Sequence, residues 1–390
     1  MKYLLLILDG AADRAYPELQ DRTPLAYAHT PVMDEWCAKG CLGRVQTIPK
    51  KQIPGTETAM ATLLMNQNES FGRAALEAEA DGLSIGEACV YRLNFLASED
   101  YRVSHYFTCK LDQQSQHSLI QALCEDTICK RTMEKMNVSI CQGNSGQYYL
   151  LAKGNAPKST SPFLLMGKAY YEYWPEGWAK WGTSVALWLA DHPINEQRRY
   201  KNQPTFDLLW PWAEGSKPSF SHSIGQHFGK KSACVAATPF LKGMAAMAGM
   251  DVVHVTGATG GMDTDIQGKA IAAVEALHTH DFVLVHLEAP DGCSHNRDVM
   301  GKVRAIEMGD RLLHSVLEYC EDDIQLMVMS DHVTFCESGR HGADPVPYFL
   351  ANTKWPYMAS GVRFCEEEAQ AFGMITGDHL LECLFADMKR

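Results

Sequence analysis

Short continuous runs of apolar residues alternate with amphipathic segments along most of this chain. The first run, residues 3–8, reads YLLLIL and ends at Asp9, which is typical of a strand buried on both faces of a parallel sheet. Amphipathic segments such as Lys302–Tyr319 place their apolar residues largely on one helical face. This alternation predicts an α/β fold with a central, mostly parallel sheet between helices. Further buried strands are predicted at residues 232–237, 251–256, 282–287 and 324–329.

The middle of the chain has a different pattern. Residues 97–221 contain short β-like runs and an aromatic stretch, YYEYWPEGWAKWG, and the Gly, Ser and Pro residues near 214–225 are typical of a linker. A chain of 390 residues also fits two domains better than one. We therefore expect an α+β domain at 97–221, inserted into a discontinuous α/β domain formed by 1–96 and 222–390.

Acidic and histidine residues follow the predicted parallel strands. Since the carboxyl ends of such strands meet at one edge of a sheet, we expect these side chains to lie close together. Carboxylate and imidazole ligands suit Mn²⁺, Zn²⁺ or Mg²⁺, and two such ions can hold the attacking and leaving oxygens of a phosphoryl transfer. Each residue alone could be a turn or cap residue, and His286, inside a strand, is expected to be structural. The residues concerned are Asp9, Asp291, His295, Asp331, His332 and His341.

Thr56 is the candidate nucleophile. It follows a Pro-Gly turn at the start of a predicted apolar helix, where free backbone amides also attract phosphate. A hydroxyl bound to a metal ion there would be activated as a nucleophile. The alternative is that Thr56 only caps the helix.

Several strings, in this order, resemble one family along nearly the whole chain: ILDGAADR, Pro54-Gly55-Thr56, GRAALEA, YRLNF, ADHPIN, HLEAPDGCSH and Asp331-His332. They are similar to the archaeal-type 2,3-bisphosphoglycerate-independent phosphoglycerate mutases and their bacterial branch, within the alkaline phosphatase superfamily. The resemblance implies an alkaline-phosphatase-like sandwich with an inserted cap domain that excludes water. It also implies a glycolytic isomerase that interconverts 3- and 2-phosphoglycerate through a phosphothreonine. The implied cofactors are two divalent metal ions, Mn²⁺ first, with Mg²⁺, Zn²⁺ or Co²⁺ as alternatives.

The resemblance also implies roles for individual residues. One ion would be bound by Asp9, Thr56, Asp331 and His332, and the other by Asp291, His295 and His341. The substrate would be bound by Arg73, Arg92, Asp191, His192 and Arg198, although Asp191 and His192 could equally be helix-end residues.

Other positions depart from the family pattern and leave the substrate open. Thr56 stands where the family usually has serine, and residues 72–75 read GRAA instead of Gly-Arg-Gly-Pro. A homoserine kinase of the same fold and a metal-dependent phosphatase therefore remain alternatives. A dinucleotide-binding oxidoreductase fits poorly, because Asp263 occupies the third glycine position of VTGATGG. A protein without catalytic activity would have no structural need for all six strand-end residues.

Charge and cysteine content narrow the class further. The chain has 35 basic and 47 acidic residues, a net charge of −12, which argues against nucleic-acid binding. The start, MKYLLLILDG, is too short for a secretion signal, and no run reaches the roughly 20 apolar residues of a membrane span. The 13 cysteines lack zinc-module spacing. We expect a cytoplasmic enzyme acting on a small phosphorylated metabolite, with no membrane partner; its oligomeric state is not predicted.

Overall fold

The computed structural model describes residues 1–65, 72–107, 113–154, 156–216, 223–354 and 360–386. The strands are β1 Lys2–Leu8, β2 Cys41–Gln46, β3 Cys89–Glu99, β4 Arg102–Tyr106, β5 Val138–Gln142, β6 Tyr148–Ala152, β7 Leu208–Gly215, β8 Ser232–Val235, β9 Asp251–Val253, β10 Phe282–Leu287, β11 Ile324–Ser330, β12 Val333–Phe335, β13 Arg340–Gly342, β14 Val346–Asn352 and β15 Met374–Thr376.

The helices differ widely in length. None of those in the described ranges is long and apolar enough to cross a membrane. They are α1 Pro24–Tyr27, α2 Pro31–Lys39, α3 Thr56–Met65, α4 Arg73–Ala80, α5 Gln113–Glu125, α6 Thr127–Met136, α7 Pro162–Leu165, α8 Ala179–Ala190, α9 Pro193–Tyr200, α10 Ile224–Phe228, α11 Pro239–Met247, α12 Ile266–Thr279, α13 Ala289–His295, α14 Val299–Tyr319, α15 Glu366–Ala369 and α16 Leu380–Phe385, with 3₁₀ turns at Pro17–Leu19, Tyr170–Glu172 and Gly377–His379.

The chain forms two compact units, and the first, Met1–Ser70 with Phe220–Arg390, contains an eight-stranded sheet. The strand order is β15-β2-β14-β11-β1-β10-β8-β9, and β14 is antiparallel to both of its neighbours. The remaining pairs are parallel. The predicted α/β fold with a mostly parallel central sheet is therefore confirmed.

Helices cover both faces of this sheet because its central strands are apolar on both sides. Leu4 and Leu6 of β1 share a buried core with residues of α12 and α14. Leu5, on the opposite face, is equally buried, and the ring of Tyr3 on that face lies 5.1 Å from Phe385 of α16. A strand without a polar face has to be central, which agrees with the position of β1.

The second unit, Phe71–Ser219, is built on a five-stranded antiparallel sheet. Its longest strand, β3, pairs with β6 along its first half, with β4 along its second half, and with β7 on its other edge. Tyr91, Leu93 and Phe95 point to a core that also contains Trp181 of α8 and Leu119 of α5. Antiparallel strands with helices on one core agree with the α+β pattern predicted for the middle of the chain.

The limits of this unit differ from those expected from the sequence pattern. Residues 72–96, which the pattern placed in the first domain, lie in the second unit, because β3 hydrogen bonds only to strands of that unit among the described residues. The expected boundary at 221/222 lies outside the described residues.

A buried lysine joins the loop after β1 to the strand β12. Lys302 of α14 is fully buried, and its Nζ donates to Oδ2 of Asp13 at 2.9 Å, to the backbone oxygen of Thr334 at 2.7 Å and to that of Ala12 at 3.2 Å. Lys302→Met would leave the Asp13 carboxylate buried without its cation. We expect the free energy of unfolding, measured by urea denaturation, to fall by roughly 3–5 kcal/mol.

The matched control is Lys354→Met. Lys354 pairs with Asp323 at 2.8 Å with about half of each side chain exposed, at 50% and 48%. Exposed pairs contribute about 1 kcal/mol or less. Equal losses of stability in the two variants would show that the burial of Lys302 has no special importance.

A second carboxylate of this unit makes stability dependent on pH. Glu366 accepts hydrogen bonds from the amide of Asp13 at 2.9 Å and from Oγ1 of Thr23 at 2.6 Å, and burial raises its pKa to about 7. The folded state therefore binds this proton more tightly than the unfolded state does. The resulting stabilisation is complete below the unfolded pKa and is lost as the pH rises through about 7.

Glu366→Gln should remove that pH dependence. Between about pH 5 and about pH 8, the free energy of unfolding of the wild type should fall relative to the variant by an amount on the order of 2 kcal/mol. Urea titrations at both pH values measure this difference. Glu368→Gln, at an exposed neighbouring position, is the control and should follow the wild type; a Glu366→Gln curve parallel to the wild type would contradict the expectation.

Candidate active site

Three neighbouring parallel strands end at the same edge of the first unit's sheet. Leu8 of β1 pairs with Leu287 of β10 on one side and with Ser330 of β11 on the other, so the three strands end in register. The structure brings the predicted acidic and histidine side chains together where the chain leaves these strands. They lie after β1, in α13, after β11 and in the β12–β13 hairpin, and are Asp9, Asp291, His295, Asp331, His332 and His341.

Thr56, the first residue of α3, belongs to the same cluster. Its Oγ1 lies 3.1 Å from Nε2 of His332 and 3.3 Å from Oδ1 of Asp9. By contrast, Oγ1 of Thr58 donates to the backbone oxygen of Ile53 at 2.7 Å. The Thr56 hydroxyl thus faces a carboxylate and an imidazole. It lies at the N-terminal end of α3, where backbone amides lack partners within the helix.

Asp9, Asp331 and His332 form one buried group. Nε2 of His332 lies 3.3 Å from Oδ1 of Asp9 and 3.4 Å from Oδ2 of Asp331. Oδ1 of Asp331 accepts from the amides of Gly10 at 3.0 Å and His332 at 2.9 Å, whereas its Oδ2 has no hydrogen-bond partner among the described residues. A buried oxygen without a donor is costly, and a cation beside it would satisfy it.

Asp291, His295 and His341 form the adjoining group. Nε2 of His295 lies 3.1 Å from Oδ2 of Asp291, and Nε2 of His341 lies 3.5 Å from Oδ1 of the same carboxylate. Ligand atoms of Asp291, His332 and His341 all lie within 4.8 Å of one another, as do those of Asp9, Asp331 and His332. His332 therefore belongs to the first group and also lies close to Asp291 and His341 of the second, an arrangement that the sequence did not predict.

The hydrogen bonds of His295 and His341 fix which ring nitrogens carry hydrogen. Nδ1 of His295 lies 2.9 Å from the backbone oxygen of Gly339, and Nδ1 of His341 lies 3.2 Å from that of Pro54. Because a carbonyl oxygen only accepts, each Nδ1 must donate. In the neutral rings, both Nε2 atoms then present lone pairs to each other, 3.1 Å apart, and to Asp291. A set of acceptors without hydrogens fits a bound cation.

The charges of the carboxylates lead to the same conclusion. Burial raises the pKa of Asp9 above its usual value, and the charges of Asp331 and Asp291 raise it further. Burial acts in the same direction on Asp291, but its contacts with His295 and His341, which donate to it only when their rings are protonated, outweigh burial and hold the pKa of Asp291 below its usual range. A divalent cation would relieve the repulsion among the three carboxylates. The residues present therefore fit a metal centre.

Thr334 of β12 lies between the two groups and was not predicted from the sequence. Its Oγ1 donates to Oδ1 of Asp291 at 2.7 Å and lies 3.1 Å from Nδ1 of His332. Gly10 packs against it with a φ of +57°, and a Cβ there would lie 2.4 Å from Oγ1 of Thr334, so only glycine fits. The available sequence signal was a hydroxyl residue two positions after the Asp-His pair.

His286 of β10, expected to be structural, lies next to Asp9. Its Nε2 is 3.9 Å from Oδ2 of Asp9 and its Nδ1 is 3.6 Å from Oε1 of Glu288. Neither ring nitrogen makes a hydrogen bond within the described part of the chain. Glu288 in turn pairs with buried Lys269 at 2.9 Å. These three buried residues therefore form a row of polar groups that ends at Asp9.

The two arginines predicted to bind substrate lie in the second unit and share one carboxylate. Nε of Arg73 lies 2.6 Å from Oε1 of Glu77, and Nε of Arg92 lies 3.3 Å from Oε2 of the same buried residue. Arg92 also donates to Oε1 of Gln147 at 3.1 Å, with its guanidinium 4.9 Å from the centre of the Trp212 ring. The guanidinium groups of Arg73 and Arg92 therefore both lie at the carboxylate of Glu77.

The other predicted substrate residues of this unit lie along α8 and α9. Asp191 is the C-cap residue of α8. His192 is the N-cap residue of α9, and its Nδ1 accepts a hydrogen bond from the amide of Ile194 at 3.2 Å. Arg198 donates from Nε to the backbone oxygen of Pro204 at 2.6 Å, with its guanidinium 4.4 Å from the Phe206 ring centre. His192 therefore has the helix-capping role that was the alternative for it.

Comparison with known sequences gives the same family along the whole chain. A family model described as Metalloenzyme superfamily matches residues 1–386. Proteins named 2,3-bisphosphoglycerate-independent phosphoglycerate mutase are similar: that of Methanosarcina mazei is 31% identical over 98% of this chain and 99% of its own. The protein of the same name from Pyrococcus furiosus is 31% identical over 100% of this chain and 98% of its own.

Two solved structures have the same fold. The PH0037 protein from Pyrococcus horikoshii superposes with a TM-score of 0.79 at 27% identity, covering 98% of this chain and 96% of that one. The cofactor-independent phosphoglycerate mutase of Thermoplasma acidophilum gives a TM-score of 0.61 at 22% identity, covering 98% of each chain. The resemblance inferred from the motifs is confirmed: this chain belongs to the metalloenzyme superfamily and, within it, to the 2,3-bisphosphoglycerate-independent phosphoglycerate mutases.

Proposed function

We propose that this enzyme interconverts 3- and 2-phosphoglycerate without a diphosphorylated cofactor, by passing the phosphoryl group to Thr56 and back to glycerate. The observation that carries the proposal is the position of the Thr56 hydroxyl, with Oγ1 3.1 Å from Nε2 of His332 and 3.3 Å from Oδ1 of Asp9. The names of the archaeal relatives support this choice of substrate.

Two divalent cations, Mn²⁺ in preference to Mg²⁺, Zn²⁺ or Co²⁺, complete the proposed site. The support is the pair of acceptor groups that meet at His332. When bound, the ions neutralise charge on the phosphoryl group and lower the pKa of the nucleophilic hydroxyl. The proposed ligands are Asp9, Thr56, Asp331 and His332 for one ion, and Asp291, His295 and His341 for the other.

The reaction has two half-reactions. In the first, Oγ1 of Thr56 forms a bond to phosphorus while the bond from phosphorus to the C3 oxygen breaks. Thr56 gives its proton up toward Oδ1 of Asp9, and the departing glycerate oxygen takes up a proton. In the second, the C2 oxygen of the same glycerate loses its proton and forms a bond to phosphorus while the bond from phosphorus to Oγ1 of Thr56 breaks, and Thr56 regains the proton held at Asp9. The first amides of α3 add positive potential at the phosphoryl group throughout.

The second unit has the role of substrate binding and water exclusion in this proposal. A phosphothreonine exposed to water would hydrolyse, so a mutase needs a cap. The guanidinium groups of Arg73 and Arg92 both lie at Glu77, and a guanidinium can bind a phosphate or carboxylate through two parallel hydrogen bonds. Arg73 and Arg92 are the proposed anion-binding residues, with Asp191, His192 and Arg198 as further contacts. We place the enzyme in the cytoplasm, since its proposed substrate is a charged metabolite.

Turnover of 3-phosphoglycerate tests the proposal. The Mn²⁺-loaded enzyme, with no bisphosphoglycerate added, should form 2-phosphoglycerate, detected by coupling to enolase. Phosphate released to water should be measured in the same samples, and homoserine with ATP offered as a separate substrate pair.

The three readouts distinguish the reactions. Formation of 2-phosphoglycerate with little free phosphate is the expected result. Free phosphate as the main product would mean a phosphatase, and phosphorylation of homoserine without mutase turnover would mean a kinase; either result would contradict the proposal.

A further inference from the structure

We propose that Thr334 is a positioning residue shared by the two ligand groups, and that its hydroxyl strengthens the binding of both cations. The inference rests on the metal centre of the proposed function, but not on the identity of the substrate. Its basis is one oxygen atom, Oγ1 of Thr334, which lies 2.7 Å from Oδ1 of Asp291 and 3.1 Å from Nδ1 of His332.

Counting hydrogens gives the direction of both contacts. The Thr334 hydroxyl has a single hydrogen, and a carboxylate can only accept, so that hydrogen is used in the bond to Asp291. Toward His332 the same oxygen must then accept, which requires hydrogen on Nδ1; the backbone oxygen of Val333, 3.4 Å from Nδ1, requires the same. The Nε2 atom of a neutral His332 is therefore left with its lone pair.

That lone pair is directed at the remaining members of the first group. Nε2 of His332 lies 3.3 Å from Oδ1 of Asp9, 3.4 Å from Oδ2 of Asp331 and 3.1 Å from Oγ1 of Thr56. Thr334 thus prepares His332 as a ligand for one cation while it orients Asp291 for the other. Partners of this kind typically change metal affinity by about 10- to 100-fold when they are removed.

Thr334 is itself held rigidly. It is fully buried, its amide donates to the backbone oxygen of Ala12 at 3.1 Å, and its backbone oxygen accepts from Nζ of Lys302 at 2.7 Å. Gly10 closes the space beside Oγ1, where a Cβ would lie 2.4 Å away. The hydroxyl therefore has no room to rotate away, and it holds Asp291 and His332 in a fixed relation to each other.

Calorimetric titration with Mn²⁺ compares the wild type with Thr334→Val, Thr334→Ser and a control. Valine keeps the shape and removes both hydrogen bonds, whereas serine keeps them. Thr47→Val is the control, because Oγ1 of this fully buried threonine has no hydrogen-bond partner within the described residues. We expect Thr334→Val to weaken both binding steps by about 10-fold or more, with Thr334→Ser and Thr47→Val within about 3-fold of the wild type.

A second measurement does not depend on a folded variant. In ¹⁵N-histidine-labelled wild type loaded with Zn²⁺, His332 should show a proton on Nδ1 and none on Nε2. A proton on Nε2, or a Thr334→Val titration that coincides with the wild type, would overturn the inference. Mutase turnover is read separately, so a wild type that binds Mn²⁺ but does not isomerise phosphoglycerate contradicts the proposed function only. A wild type that binds no Mn²⁺ contradicts both.

Discussion

Thr56→Ala is expected to abolish phosphoryl transfer while the protein keeps its metal ions. The substitution removes the one oxygen that would be phosphorylated, yet leaves Asp9, Asp331 and His332 in place. Loss of a nucleophile typically lowers turnover by about 10⁴-fold or more. Enolase-coupled turnover and metal content by elemental analysis, measured on the same preparation, test the two halves of this expectation.

Two further variants make the test specific. Thr56→Ser keeps the hydroxyl and should retain most of the activity. Thr58→Ala removes a different hydroxyl from the same helix. That hydroxyl donates its hydrogen bond to the backbone oxygen of Ile53. It should affect stability more than turnover. If Thr56→Ala turned over at the wild-type rate, another nucleophile would be required.

His332→Ala is expected to reduce the binding of both cations, more than any other single histidine substitution at the site. His332 is fully buried and is a proposed ligand of one ion, and it also lies close to Asp291 and His341, which belong to the other group. Residues that only orient ligands change metal affinity by about 10- to 100-fold, so loss of His332 should weaken the binding of its own ion by more than about 100-fold and that of the neighbouring ion by less. Elemental analysis after dialysis gives the bound stoichiometry.

His295→Ala is the matched comparison. Among the ligand residues His295 contacts Asp291 and His341, its Nδ1 donates to the backbone oxygen of Gly339, and 45% of its side chain is exposed. Its removal should release one ion and leave the other bound. Full metal stoichiometry in His332→Ala would remove this residue from the ligand set, and equal losses in the two variants would contradict a shared role.

The central part of the fold could be predicted because its signal is local. Runs such as residues 3–8 have no polar face, so they can only be strands in the middle of a covered sheet. The strands β2 and β14 were not predicted. Cys41–Gln46 mixes polar and apolar residues, and its place beside the reversed strand β14 depends on pairing that is distant in sequence.

The limit of the second unit depends on the same kind of distant pairing. The strand Cys89–Glu99 is apolar at most positions and resembles the buried strands of the first unit. It belongs to the second unit because its hydrogen bonds go to Tyr148–Ala152 and Leu208–Gly215. Local composition contains no information about these partners.

The candidate site could be predicted as a set of residues but not as an arrangement. Strand ends placed Asp9, Asp291 and Asp331 at one edge, since parallel strands end together. The sharing of His332 and the bridge through Thr334 depend on side-chain hydrogen bonds within a few ångströms. Likewise, the ion pairs that Arg73 and Arg92 make with Glu77 were not predicted, because they depend on the packing of α4 beside β3.

The central position of β1 has a consequence for synthesis of the protein. Tyr3 pairs with Phe282 and with Gln325, so the first strand made is among the last to gain partners. At 5–20 residues per second, its apolar segment waits roughly 15 to 60 s on the ribosome. The second unit, continuous in sequence, contains all of its own sheet partners and can form in that interval. The nascent chain therefore carries an unpaired apolar segment during this interval, and the complete set of metal ligands exists only after His341 has been made.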